Sequence, residues 1–568
     1  MKKKIVTFVY SIVLHLLLCS LPLMAEQGLP QDVDFWSDCP AESLAGAITE
    51  RMSDEELLSQ MFMFGWAGAE PSGLLIRWVE ERGLGSVKVF GWNTDNIAKV
   101  TKAIKTLQQY SAGGRFKIPL FVATDQEGGW IRHVKGETAV TPGCMAIGAS
   151  GYPMDAYWSG YYINKEIKAL GININFAPVV DLYTNLQSSV IGPRSFGSDP
   201  EKVGILGEAF AKGSLDAGVI PTAKHFPGHG DTDLDSHGKL PVIDIDRGTW
   251  ERRELVPFKR LIDSGIPAIM SGHLSFPQID ADGAPASLSK KFLTDILRNK
   301  LGFEGLIITD DMMMNGATTY SGSLARAVTQ AIEAGNDIVI SSSTPGLYDR
   351  LWTENLSLLR SSPQFRARVQ DSVRRILLQK LAYFKGDNAA PLYPDESTIA
   401  RYIPDRDGEK FFLEQACRAA TVYKGSLPFV PREGERVLIA GPFTALYEEG
   451  RRRYPRAHTF HYSYELAADQ SNFDEWNAAN IAAVARNFDT VIINVYDRHS
   501  AAICRRLKGL GKKVIILSVM SPVFVLQDFD WADCIVCGYS YSDYSFKALF
   551  GILAGEFTAQ GTIPLMRR

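Results

Sequence analysis

"GLIITDD", Gly305–Asp311, is an apolar, β-branched run that ends in two carboxylates. A short stretch of unbroken hydrophobicity bounded by polar groups reads as a strand buried on both faces, the habit of parallel sheets. Seven further runs of this kind lie between residues 58 and 384: "MFMFGW" (61–66), "GSVKVFGW" (85–92), "PLFVATD" (119–125), "INFAPVVD" (174–181), "VIPTAKHF" (219–226), "IPAIMSGH" (266–273) and "NDIVISSS" (336–343). Between them run segments of helical periodicity, such as "LARAVTQAIEAG" and "ARVQDSVRRILLQKLAYF". Eight strands, each followed by a helix, predict a (β/α)8 TIM barrel. Asp125, Asp181, His225, His273 and Asp310 stand at or beside the ends of their runs. A doubly wound open sheet would gather such groups at one switch point. Their spread over many strands favours a closed barrel, whose C-terminal strand ends form the active face.

The chain has 568 residues, 46% hydrophobic and 22% charged, with a formal net charge of −4. That is ordinary globular composition, and no long basic run points to nucleic acid. Lys2, Lys3 and Lys4 precede an apolar stretch from Ile5 to Ala25, which reads as a secretory signal over 1–25. An uncleaved membrane anchor, or lipidation at Cys19, would be other uses of the same segment. The expected location is therefore periplasmic or extracellular. The barrel domain is expected over 26–385 and a Pro-containing polar linker over 386–405. A smaller α/β sandwich domain is expected over 406–568, with strands in 436–443, 489–496, 512–519 and 534–540. Cys534 and Cys537 form a CxxC without a second pair, inside an apolar run, and read as inert core thiols. The run Met312–Met314 reads as packing, and the aromatic "GYSYSDYSF" (538–546) as core or, alternatively, a wall of the pocket. A monomer is expected.

The richest chemistry lies in "KHFPGHGDTDLDSH", Lys224–His237. A calcium loop of the EF-hand type would need glycine and glutamate where Ser236 and Val242 stand. A zinc site could draw on His225, His229 and His237, but Lys224 puts a fixed cation beside them. An acid–base device explains more. Asp235 and His237, two residues apart in an extended loop, project to one side, so the carboxylate can fix the imidazole tautomer. The glycines at 228, 230 and 238 permit sharp bends. Asp310 supplies a carboxylate that could attack carbon from the other side of a scissile bond.

These residues resemble glycoside hydrolase family 3, in the β-N-acetylglucosaminidase (β-N-acetylhexosaminidase) subgroup with an Asp-His dyad. Beside the loop, "TDQEGG" (124–129), "NFAPVVD" (175–181), "IGPRSFGSDP" (191–200), "IMSGHL" (269–274) and "GFEGLIITDDMMM" (302–314) match the family's blocks in order. The resemblance covers roughly residues 45–385, with a weaker echo at 548–565.

The resemblance implies a retaining hydrolase of terminal β-linked N-acetylglucosamine, acting on oligosaccharides or muropeptides without cofactor or metal. Asp310 would be the nucleophile, His237 the general acid/base and Asp235 its partner. Asp125, Arg194, Lys224 and His225 would bind substrate. The family commonly has arginine eight residues after the aspartate of "DQEGG"; here that position is His133, and Arg132 is the nearest candidate for that contact. Two rival readings are a phosphorylase using the same dyad and a non-catalytic glycan-binding exported protein.

Overall fold

The structure is a computed structural model that describes residues 32–188, 190–232, 238–462 and 471–566. The expected signal segment lies outside them. Eight parallel strands close into a barrel: β1 (Phe62–Gly65), β2 (Ser86–Lys88), β3 (Phe121–Thr124), β6 (Ile174–Asn175), β7 (Ile220–Phe226), β8 (Ala268–Ser271), β9 (Leu306–Asp311) and β10 (Ile338–Ser341). Each lies within one of the eight apolar runs. A small antiparallel hairpin, β4 (Gln126–Gly128) and β5 (Ile131–Arg132), sits on the active end after β3. The barrel strands are buried along their length except at the end of β9, where Asp310 and Asp311 are half-buried. This explains why they read as continuous hydrophobicity.

Two register irregularities occur where the chemistry lies. Against β8, Ala223 pairs with Ile269 but Phe226 pairs with Ser271, so β7 carries one extra residue. In a regular strand, Lys224 and His225 would point to opposite faces. The extra residue re-aims the chain, and both side chains reach carboxylates at the barrel mouth. β9 likewise gains one residue on β10 between Ile308 and Asp311, the stretch that contains Asp310.

The second domain is a six-stranded sheet in the order β11-β16-β15-β14-β12-β13, with β11 (Thr421–Lys424) antiparallel at one edge. The others are β12 (Val437–Gly441), β13 (His458–His461), β14 (Thr490–Val495), β15 (Lys513–Ser518) and β16 (Cys534–Cys537). Cys534 and Cys537 are free and buried. Burial pushes their thiols up to about 11 and about 12. Such thiols are unreactive at neutral pH, as expected for core residues. Met312 and Met314 are buried as expected, but Met313 is 45% exposed. Its N–H is held by Asp311 Oδ1 at 3.0 Å in the turn after β9, which leaves the side chain facing out.

The domains are joined by partly buried polar contacts. Arg418 of the helix Arg406–Ala419 makes contacts of 2.6, 3.1 and 3.2 Å to the Asp155 carboxylate on a barrel helix. The chain end returns to the barrel through Thr562 N–H to Ala149 O at 3.0 Å and Ser198 N–H to Pro564 O at 3.1 Å. Arg418→Ala is expected to cost about 1.5–3 kcal/mol, the value of hydrogen bonds to a charged group. Urea unfolding of the full chain measures it.

Candidate active site

At the barrel mouth a lattice of opposite charges is held almost out of water. Lys224 is 1% exposed and bridges two carboxylates, Asp125 Oδ1 at 2.6 Å and Glu127 Oε1 at 2.7 Å. Lys88, from the end of β2, meets Asp125 Oδ2 at 2.9 Å. Arg194 grips Glu127 with two contacts of 2.8 Å. Burial alone would protonate these acids. Lys224 and Lys88 instead hold Asp125 well below the usual carboxylate range. Arg194 and Lys224 hold Glu127 down in the same way. Burial opposes the charge on Lys224 too, and its two carboxylate neighbours more than restore it.

A second unit orders His225. Asp181 Oδ2 lies 2.6 Å from His225 Nδ1, and the same carboxylate accepts the backbone N–H of His225 and of His229. This places Nδ1–H toward Asp181 and leaves Nε2 facing Arg194 at 3.5 Å. The root of the glycine-rich segment is fixed by these bonds. Gly230 packs so tightly there that a Cβ would fall 1.5 Å from Leu182 O. His229 is 2% exposed, and burial, with His225 beside it, pushes it down to about 4. Asp235 and His237 lie outside the described residues.

The two carboxylates of "TDD" have different jobs. Asp311 Oδ1 accepts N–H bonds of 3.0 Å from both Ser342 and Met313, tying β9 to β10. His273 braces the same strand end: Nε2 bonds Asp311 O at 3.0 Å and Nδ1 bonds Ser287 Oγ at 2.7 Å. A carbonyl can only accept, so Nε2 carries the proton and Nδ1 receives the hydroxyl's. Asp310 is half-buried, and among the described residues its hydrogen bond is the one Oδ1 accepts from Asp311 N–H at 2.8 Å. Burial pushes it up, but His225, His273, Lys88 and that N–H outweigh burial and bring it to about 2. It is an ionised carboxylate with lone pairs left over among the described residues, suited to attack carbon or to stabilise positive charge. Asp311→Asn keeps an oxygen acceptor in place, so its kcat/KM is expected to stay within about tenfold of wild type. Steady-state kinetics beside an Asp310→Asn control read the contrast.

The structure thus brings Asp125, Arg194, Lys224, His225 and Asp310 into one electrostatic cluster. Arg132 turns away. Strand alternation sends it to the opposite side of the hairpin, where Nη1 bonds Thr138 O at 2.7 Å and Thr138 Oγ1 at 3.0 Å. Its charged and phenolic neighbours are Tyr541 and Glu166. His133 takes the inward place, with Nδ1 3.5 Å from Asp125 Oδ2. Burial pushes it down to about 4, so it is a neutral imidazole at working pH. Tyr541, from the aromatic segment of the second domain, is half-buried and stacks on Phe443 at 5.7 Å, whereas Tyr539 and Phe546 are core. Lys88, Glu127, Asp181 and His133 complete the cluster. The signal for Lys88 was a lone cation in an otherwise apolar strand, which demands a buried partner. Among the described residues no cluster suited to a metal occurs.

The family model described as "Glycosyl hydrolase family 3 N terminal domain" matches residues 55–378. "Beta-hexosaminidase A" of Pseudoalteromonas piscicida is 27% identical over 85% of this chain and 89% of that protein. "Beta-hexosaminidase" of Nitrosomonas eutropha is 34% identical over 48% of this chain and 77% of that protein. Among solved structures, a glycoside hydrolase family 3 beta-N-acetylglucosaminidase from Paenibacillus sp. str. FPU-7 superposes with a TM-score of 0.79. It is 28% identical and covers 91% of this chain and 99% of its own. A charge-paired barrel mouth and a family match over more than half of the chain lead to one conclusion: this protein belongs to glycosyl hydrolase family 3 and is a glycoside hydrolase.

Proposed function

We propose that the protein is an exported, retaining exo-β-N-acetylglucosaminidase that releases terminal β-linked N-acetylglucosamine from cell-wall fragments or chitooligosaccharides. The observation that carries this reading is Asp310, ionised among the charges of the barrel mouth, beside an Asp311 committed to the fold. Asp125, Glu127, Lys224 and Arg194 offer acceptors and donors side by side, a pattern that suits the hydroxyls of one pyranose ring. The relatives' hexosaminidase names agree with this substrate class. In the proposed mechanism Asp310 attacks the anomeric carbon and forms a covalent glycosyl-enzyme. His237, oriented by Asp235, protonates the leaving oxygen and then activates water.

Release of the aryl alcohol from an aryl β-N-acetylglucosaminide tests the reading; no release between pH 5 and 8 would contradict it. His237→Ala is expected to spare this activated substrate while losing activity on natural sugars. The pH profile follows from the same roles. Asp310, at about 2, stays ionised throughout that range and contributes no limb. The alkaline fall of kcat/KM on natural sugars is expected to reflect loss of the His237 proton and to be absent in His237→Ala.

A further inference from the structure

We propose that Trp92 is the platform on which the sugar ring of the leaving group stacks, so that it sets preference for a second pyranose. This inference rests on the N-acetylglucosaminidase reading above. Trp92 follows β2 at the active end and is 53% exposed. Exposed tryptophan alone is unremarkable on a protein surface. This one is held rigidly. Its ring lies parallel to Phe90 at 4.5 Å and 7°, and its Nε1–H donates to Trp66 O at 2.7 Å. One indole face is therefore covered, and the side chain cannot fold down to hide the rest.

The support under it is the floor of the pocket. Lys88 Nζ, which bonds Asp125, sits 4.5 Å from the Phe90 ring centre, and the His133 ring lies 5.6 Å from Phe90. A single ring, Phe90, thus separates Trp92 from the groups that would bind the terminal sugar. Asp125, Glu127 and Lys224 are all buried and close the bottom, so whatever is attached to that sugar leaves through the mouth. A fixed aromatic face there matches the apolar C–H face of a pyranose, and no ordering entropy remains to be lost by the indole on binding.

The test compares chitobiose and chitotriose with N-acetylglucosaminyl β-fluoride, whose leaving group has no ring. Trp92→Ala is expected to lower kcat/KM on the two oligosaccharides by about tenfold, mainly through KM, with the fluoride unchanged. Trp92→Phe should recover most of the loss. An equal loss on the fluoride would overturn the proposal, because Trp92 would then act on the floor through Phe90 and Lys88. So would an unchanged rate on the oligosaccharides. Wild-type enzyme inactive on all three would overturn the N-acetylglucosaminidase reading itself, and this inference with it; active wild type with an unaffected Trp92→Ala overturns this inference alone.

Discussion

Asp310→Ala is expected to lower kcat on chitobiose by about 10⁴-fold or more, the scale seen when a nucleophile is removed from a covalent mechanism. Folding should be nearly intact. Asp310 is half-buried, and among the described residues its hydrogen bond is with the neighbouring N–H, so little packing is lost. Azide should restore turnover by entering the space left by the carboxylate, giving a glycosyl azide of opposite anomeric configuration. Asp311→Ala would behave differently. It removes the acceptor for Ser342 N–H and Met313 N–H, so its loss should track destabilisation and resist azide. Rescue of the wrong variant would reverse the assignment within the pair.

Lys224→Met is expected to be the most damaging substitution for stability. The ammonium lies between Asp125 and Glu127 at 2.6 and 2.7 Å, and all three side chains are buried. Removing it leaves two carboxylates facing each other with half their compensation gone. Breaking a buried pair in this way costs about 3–5 kcal/mol. The sign with pH follows from the acids. Both are held below their ordinary values of 3.8 and 4.5 in the folded protein, a stabilisation present above those values and lost as pH falls through the folded ones. The penalty for losing Lys224 should therefore be full from pH 7 down to about pH 5 and shrink only below the ordinary carboxylate values, as the acids become able to take up protons. Urea unfolding at about pH 7 and about pH 3 reads this; equal penalties at both would mean the loss is packing, not charge. A further loss of about 10²-fold in kcat/KM is expected from the displaced Asp125 carboxylate.

The barrel was legible because parallel strands buried on both faces leave an unmistakable mark: each of the eight apolar runs contains one strand. In the second domain the four strands read from sequence are β12, β14, β15 and β16, which occupy the middle of the sheet. The two that escaped, β11 and β13, are its edges. "TVYK" and "HTFH" are four residues each, and most of their positions are partly or fully exposed, so neither has a hydrophobic run to find.

The site divides along similar lines. Residues at strand ends next to glycine or a second acid, such as Asp125, Lys224 and Asp310, stand out by composition. Lys88 and Glu127 do not, because a buried charge is recognised only by the partner that three dimensions supply. Asp181 was visible as a strand end, but its grip on His225 depends on a register irregularity in β7 that no local pattern announces. Arg132 ends a two-residue strand and His133 follows it, so only the alternation of facing along the chain separates them. Asp235 and His237 remain assigned by their spacing and the family resemblance.

A covalent bond between Asp310 and the anomeric carbon is the step on which the proposed mechanism turns. The most direct measurement is mass spectrometry of peptides after incubation with a slow 5-fluoro-N-acetylglucosaminyl fluoride. A stoichiometric glycosyl adduct is expected on the peptide containing Asp310, absent in Asp310→Ala. Complete turnover with no adduct, as in catalysis assisted by the substrate's own acetamido group, or an adduct on another residue, would contradict it.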